Sequence, residues 1–331
     1  MVGAVYDRGY RGYEGARGGR KASRWALFLT SVRRALGIRR PWRQKVAPAV
    51  LLGIATVPAI VWVGVAYVTR NTPASDFELI TYRDYVGVST YLLAFVALTA
   101  PDIMCPDRRQ RVLPLIFARP LTGADYVIAK VGAMFALVFV FGFFPQVVLF
   151  VGQMLVSEDG ALRYARENAE VLWQVPVAVT LLAIYYASIS IAVSAFTTRR
   201  IIAGAVIIGS LLISGIVSEI LVDAEEVTVQ EDPIGPPSTV ITEDGEVIVE
   251  PSGEPGPFTP VEIHRDPTYA GLVNMLTLPL VVRDLVFLGH VEPGHPLSTL
   301  ANSGLYALLL FALVVAVALA LLFWRYDEVE R

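Results

Sequence analysis

The sequence predicts an all-α polytopic membrane protein with six transmembrane helices, an N-terminal amphipathic interfacial helix, and an acidic extracytoplasmic insertion between helices five and six. Three observations carry this reading. Of 331 residues, 55% are apolar and only 17% charged, with mean hydropathy +0.57, whereas soluble domains carry about a quarter charged residues. The apolar residues fall in blocks of the roughly 20 residues that a helix needs to cross a bilayer. The lysines and arginines concentrate in alternate loops.

Residues 1–22 are rich in Gly, Arg and Tyr without hydrophobic period and are expected to be a flexible cytoplasmic tail. This opening lacks the short apolar stretch and small-residue cleavage site of a signal peptide, so the first apolar span is expected to remain as an anchor. In residues 23–45, Trp25, Phe28, Leu29, Val32 and Leu36 recur at helical spacing. Ser23 is the expected N-cap. Arg24, Arg33, Arg34, Arg39 and Arg40 are expected on headgroup phosphates, with the apolar face in lipid; packing on another protein would place the helix at the same inner surface.

Six spans follow: Val46–Val68, Tyr85–Met104, Val131–Val156, Val171–Phe196, Ile201–Val222 and Gly304–Trp324. Trp42, Trp173 and Trp324 lie at their ends, where indole rings favour the interface. Residues 1–45 hold 12 Lys and Arg and residues 105–130 hold five; with Arg199, Arg200, Arg325 and Arg331, 21 of the 27 lie on one side. The positive-inside rule therefore places both termini in the cytoplasm.

The outer segment, residues 223–303, has 14 Asp and Glu against two Arg. Val240–Ile241 and Val247–Val249 flank Glu243-Asp244-Gly245-Glu246, a hairpin signal. Ala270–Leu288 is apolar but contains Pro279, Arg283 and Asp284. Spanning there would invert the charge asymmetry, so it is expected as a membrane-dipping or surface-lying helix pair.

The single cysteine, Cys105, excludes an intrachain disulfide. No P-loop, H-E-x-x-H or Cys/His zinc cluster occurs, so no catalytic residue, cofactor or metal is expected. His290 and His295 flank Glu292, and with His264 they read as loop histidines. Ion-coupled carriers place ionisable residues at mid-bilayer. Here Asp102 and Glu219 lie near span ends and read as solvated, which places the energy source outside this chain.

The inner loop CPDRRQRVLPLIFARPLTGADYVIAK, Cys105–Lys130, carries the most specific pattern. An Arg-rich opening precedes apolar Val112, Leu115, Ile116 and Phe117; Arg119-Pro120 stops that segment, and Thr122-x-x-Asp125 forms a capping box for the third span. The run Pro106-Asp107-Arg108-Arg109, Val112–Ala118, Arg119-Pro120-Leu121-Thr122, Asp125-Tyr126 and Lys130 resembles the cytoplasmic loop of ABC-2 type transporter permeases. Members of that family carry an (S/A)RP(L/V)(S/T) turn and a Gly-Lys or Ala-Lys opening of the third span. Cys105-Pro106-Asp107 departs from the commoner acidic pattern, and residues 223–265 look like a private insertion.

The resemblance implies an exporter's permease subunit, paired with a like or identical subunit and working with a cytoplasmic ABC ATPase; the uncharged spans fit an amphiphilic or hydrophobic substrate better than a small ion. The organisation would then be a tail (1–22), an interfacial helix (23–45), helices one to five with a coupling loop at 105–126 (46–222), the extracytoplasmic segment (223–303), and helix six with a cytoplasmic tail (304–331). Within the loop, Arg108, Arg109 and Arg111 would meet ATPase carboxylates and Leu115, Ile116 and Phe117 would fill its groove, with Arg119 and Pro120 closing the turn. A small-residue stripe on the fifth span, Ala205, Gly209, Ser210, Ser214 and Ser218, would serve helix packing or line the pathway. Partners expected are this ATPase, a second permease and membrane lipids, and no nucleic acid. A non-transporting membrane scaffold is the alternative class, and an ion-coupled carrier ranks below it.

Overall fold

The computed structural model describes residues 18–38, 42–70, 81–86, 89–118, 120–157, 160–226, 239–241, 247–249, 269–292, 295–300 and 302–330. The expected tail at 1–17, the hairpin turn at 242–246, His264 and Arg119 lie outside them. The chain divides into two compact units, Met1–Ile208 with Val314–Arg331, and Gly209–Leu313.

The first unit is helical: α1 (Gly19–Ala35), α2 (Trp42–Thr69), α3 (Tyr82–Tyr85), α4 (Ser89–Arg109), α5 (Leu113–Phe117), α6 (Gly123–Val156), α7 (Ala161–Glu167) and α8 (Val171–Ala195), with the start of α9 (Arg200–Glu226) and the end of α11 (Ser303–Glu330). Among the described residues, five helices are long and apolar enough to cross a membrane: Val46–Thr69, Gly123–Val156, Val171–Ala195, Arg200–Val222 and Ser303–Asp327. By length and composition this is a membrane-embedded helical protein. The expected second span is not among the five. Its helix begins at Ser89, after the separate turn α3, and its last three turns carry Asp102, Asp107, Arg108 and Arg109.

Helix α6 organises the first unit. Its 34 residues reach about 50 Å at 1.5 Å per residue, more than a hydrocarbon core of about 30 Å. The helix is therefore longer than the core alone requires. Ala129, Ala133, Met134 and Leu137 are buried, and Phe141 stacks on Phe95 of α4 with ring centroids 4.3 Å apart. Helix α8 is the most enclosed: 67% of its apolar window is buried, against 22% for the spans in α2, α9 and α11. Small side chains such as Ala178, Ala183 and Ala187 let neighbours approach. At Gly204 of α9, a Cβ would stand 2.9 Å from the Ala97 carbonyl oxygen of α4, so only glycine permits that approach.

One sequence expectation for α1 is corrected here. The helix begins at Gly19 with Gly18 as N-cap, so Ser23 lies inside it. Within it Ser31 and Ala35 are fully covered, while Leu27, Phe28, Leu29 and Val32 are half-buried. Trp25, stacked on Phe28 at 5.0 Å, remains exposed. Small and charged residues face the protein because buried carboxylates await the arginines there.

The second unit holds the later part of α9 from Gly209, strands β1 (Thr239–Ile241) and β2 (Val247–Val249), a 3₁₀ turn at Ala270–Val273, α10 (Leu278–Leu288), a second 3₁₀ turn at Pro296–Thr299, and the start of α11. The strands pair antiparallel with Val240 opposite Ile248. Helix α10 has 11 residues, about 16 Å, too short to span. Asn274 Oδ1 accepts the amides of Leu276 and Thr277, both at 3.1 Å, to open it, and Gly289 at φ +75° closes it. Arg283 and Asp284 are both buried and paired, Nη2 to Oδ1 at 2.7 Å.

His295 Nδ1 accepts the Leu297 amide at 3.2 Å, capping the second 3₁₀ turn. Burial pushes this imidazole below its usual 6.5, against the pull of Asp284 and Glu292. A depressed folded value means that the cap contributes fully above the ordinary pKa and is lost as pH falls below it. Hydrogen exchange of the Leu297 amide, corrected for intrinsic rate, should therefore accelerate between pH 7.5 and pH 5.5. His295→Asn, whose carbonyl accepts at any pH, should remove that dependence; slower corrected exchange at low pH would refute the assignment.

Candidate functional site

The loop between α4 and α6 is built by its two helix ends. At the end of α4, the Val112 amide donates to the Asp107 carbonyl at 3.1 Å and Arg111 to Arg108 at 3.2 Å, the paired bonds that close a helix around a left-handed residue. That residue is Arg111, at φ +53°, where glycine is the easier occupant. Pro114 then starts α5 in its first turn, where its missing amide costs nothing. Pro120 follows, and Leu121 is buried as the anchor on the far side.

Helix α6 opens with the expected capping box: Thr122 Oγ1 accepts the Asp125 amide and Asp125 Oδ2 accepts the Thr122 amide, each at 3.3 Å. The segment between these ends is presented outward. Leu115 is 71% exposed, Ile116 and Phe117 are half-buried, and Phe117 lies edge-on to Tyr126 at 6.0 Å. Arg109 and Arg111 are exposed.

Beneath the loop lies a group of ion pairs centred on Asp107 and Lys130, to which the sequence alone assigned no individual role. Asp107 and Lys130 are 2% and 1% exposed, and Lys130 Nζ stands 2.6 Å from Asp107 Oδ2. Lys130 also donates to the Ile103 carbonyl at 2.9 Å. The Tyr126 hydroxyl donates to Asp107 Oδ2 at 3.0 Å, and Arg34 of α1 pairs with Oδ1. Tyr126 in turn packs on Tyr326 of α11, with ring centroids 4.8 Å apart. One carboxylate thus joins α1, α4 and α6. A second, buried Asp125, binds Arg20 Nε at 2.5 Å and Arg24 Nε at 3.4 Å, so α1 is fixed at both ends. This corrects the expectation that Arg24 and Arg34 lie on headgroup phosphates. The signal available in the sequence was a lysine two turns into an apolar helix, one turn after a tyrosine.

Asp102, expected as a solvated end residue, is likewise buried and pairs with Arg200, because the short turn after α8 returns Arg200 against α4. Arg108 donates to the Ala195 carbonyl at the end of α8, using its charge on the negative helix terminus. The small-residue stripe of α9 does not share one environment. Ala205 and Ser210 are exposed, Gly209 and Ser214 half-buried, and Ser218 buried; Ser214 Oγ accepts the Met275 amide at 3.1 Å. Glu219 is exposed, and no group of three or more His, Cys, Asp or Glu able to hold a metal occurs among the described residues.

No protein-family model, curated protein or solved structure matches the chain.

Removing one partner of a buried ion pair costs about 3–5 kcal/mol, because the other charge is left uncompensated. Asp107→Ala, which strands Lys130, should therefore lower the detergent-solubilised thermal midpoint sharply. Arg34→Ala removes a partly exposed partner and should cost less. Equal, small losses in thermal melts of both variants would contradict a lock centred on Asp107.

Proposed function

We propose that this chain is the transmembrane subunit of an ATP-driven exporter of the ABC-2 type, lying in the cell membrane with both termini cytoplasmic. In this reading α4 supplies a sixth span, giving the even number that cytoplasmic termini require. A cytoplasmic ATPase docks on the loop at 105–126, a second permease subunit completes the translocation path, and the cargo is amphiphilic or hydrophobic.

The observation that carries the reading is the contrast within the loop. Its apex exposes Leu115 beside exposed Arg109 and Arg111, while its base is held by the Asp107–Lys130–Arg34 group. An apolar, cationic apex on a stiff base suits a surface that receives mechanical displacement. Closure of the nucleotide-bound ATPase dimer would move the base of α4 and α6 together with α1. The loop must meet the two ATPase states with different free energies, since otherwise nothing is coupled. Arg108, engaged with the end of α8, acts in transmitting that displacement, and Arg109 and Arg111 act in docking.

Affinity purification of the full chain in mild detergent should recover an ATPase whose turnover changes when the chain is present. Phe117→Asp should abolish that stimulation and export while leaving membrane abundance normal. Normal export by this variant at normal abundance, or purification with no nucleotide-hydrolysing partner, would contradict the proposal.

A further inference from the structure

A cavity of about 180 Å³ opens sideways between α6 and α8, close to where α8 begins. Its walls are apolar: Phe143, Val147 and Phe150 from α6 and Val175 from α8. The volume exceeds the roughly 150 Å³ that suffices to hold benzene in a dry protein cavity. It falls short of the roughly 300 Å³ at which pockets enclose whole ligands, so it takes a segment of a longer molecule.

One polar atom breaks the apolar lining. Gln146 is 2% exposed, and its Oε1 has no hydrogen-bond partner. The amide nitrogen of the same side chain reaches the Tyr82 carbonyl at 3.5 Å, which orients the oxygen as the unmet acceptor. Pro176 sits inside α8 and has no N–H for the carbonyl of Leu172, one turn earlier and also on the cavity wall. In hydrocarbon, acceptors without donors are costly. The cavity therefore lacks one thing, a hydrogen-bond donor carried on an apolar chain. Access is from the side, since Val147 and Leu172 on the rim are 40% and 56% exposed on helices that meet the membrane-spanning criteria.

We propose that this cavity is a lipid-binding site that takes the alkyl chain of a bilayer amphiphile bearing a hydroxyl group, which donates to Gln146 Oε1. The site belongs to the lipid-facing side of α6 and α8 and does not depend on the exporter reading; it requires only that these two helices lie in a bilayer.

The test uses the full chain in proteoliposomes and two photoactivatable diazirine probes of equal length, a long-chain alkanol and the corresponding alkane. Peptides spanning 143–150 and 171–176 should be labelled about fivefold more by the alkanol, the factor that one net hydrogen bond supplies. Gln146→Leu should bring alkanol labelling down to the alkane level. Leu172→Trp, which places a large ring on the exposed rim, should reduce labelling by both probes. Equal labelling by the two probes in the unaltered chain would overturn the site. A preference that survives Gln146→Leu would do the same, as would labelling indifferent to Leu172→Trp. If Gln146→Leu does not fold, the probe ratio and the rim variant still decide.

Discussion

The arrangement of the helix ends depends on one buried carboxylate. Asp107 lies at the last turn of α4, and its two oxygens are shared among Lys130 and Tyr126 of α6 and Arg34 of α1. An isolated carboxylate cannot be held in such a place; burial of an ion requires matched charge and satisfied lone pairs. Here the matching charges come from two segments distant in sequence from α4 and from each other, so the requirement fixes the relative positions of all three. Asp125 repeats the device one helix end away, binding Arg20 and Arg24 while it closes the capping box of α6. Between them the two aspartates hold α1 along its charged side.

This gives α1 two working faces. Arg20, Arg24, Ser31, Arg34 and Ala35 turn to the protein, and Trp25 is exposed, stacked on a half-buried Phe28 whose ring lies beside Gly132 of α6. The loop above the lock is different in kind. It uses a left-handed arginine, a proline start and a helix of only five residues, and it leaves apolar surface uncovered. In the proposed exporter, this concentration of stability in the base and exposure at the apex would suit docking. The opposite end of α6 and α8 shows a second local exception to closed packing, where Gln146 leaves an acceptor in an apolar recess.

The apolar blocks made the long helices legible, and their ends lie within a few residues of the expected ones for α2, α8 and α11. The capping box at Thr122 and Asp125 was legible too, because it is local chemistry with fixed spacing. The charge lock was not. Asp107 and Lys130 are 23 positions apart and Arg34 is 73 before Asp107, and no periodicity links residues that meet only through tertiary packing. The same blindness made Asp102 look solvated, since Arg200 reaches it from a different helix. For α1 the pattern identified an amphipathic helix but assigned its arginines to lipid, because a basic face reads alike whether its partners are phosphates or buried carboxylates. The stripe on α9 had small residues at the right spacing, yet the close approach occurs at Gly204, one position off it.

In the proposed topology the α4–α6 loop, held by this lock, faces the cytoplasm. The most direct measurement places a thiol at its apex, Leu115→Cys, in a Cys105→Ala background, and treats sealed membranes of both orientations with a membrane-impermeant maleimide. The account predicts labelling in inside-out vesicles and none in intact cells. Labelling of intact cells at this position would contradict it.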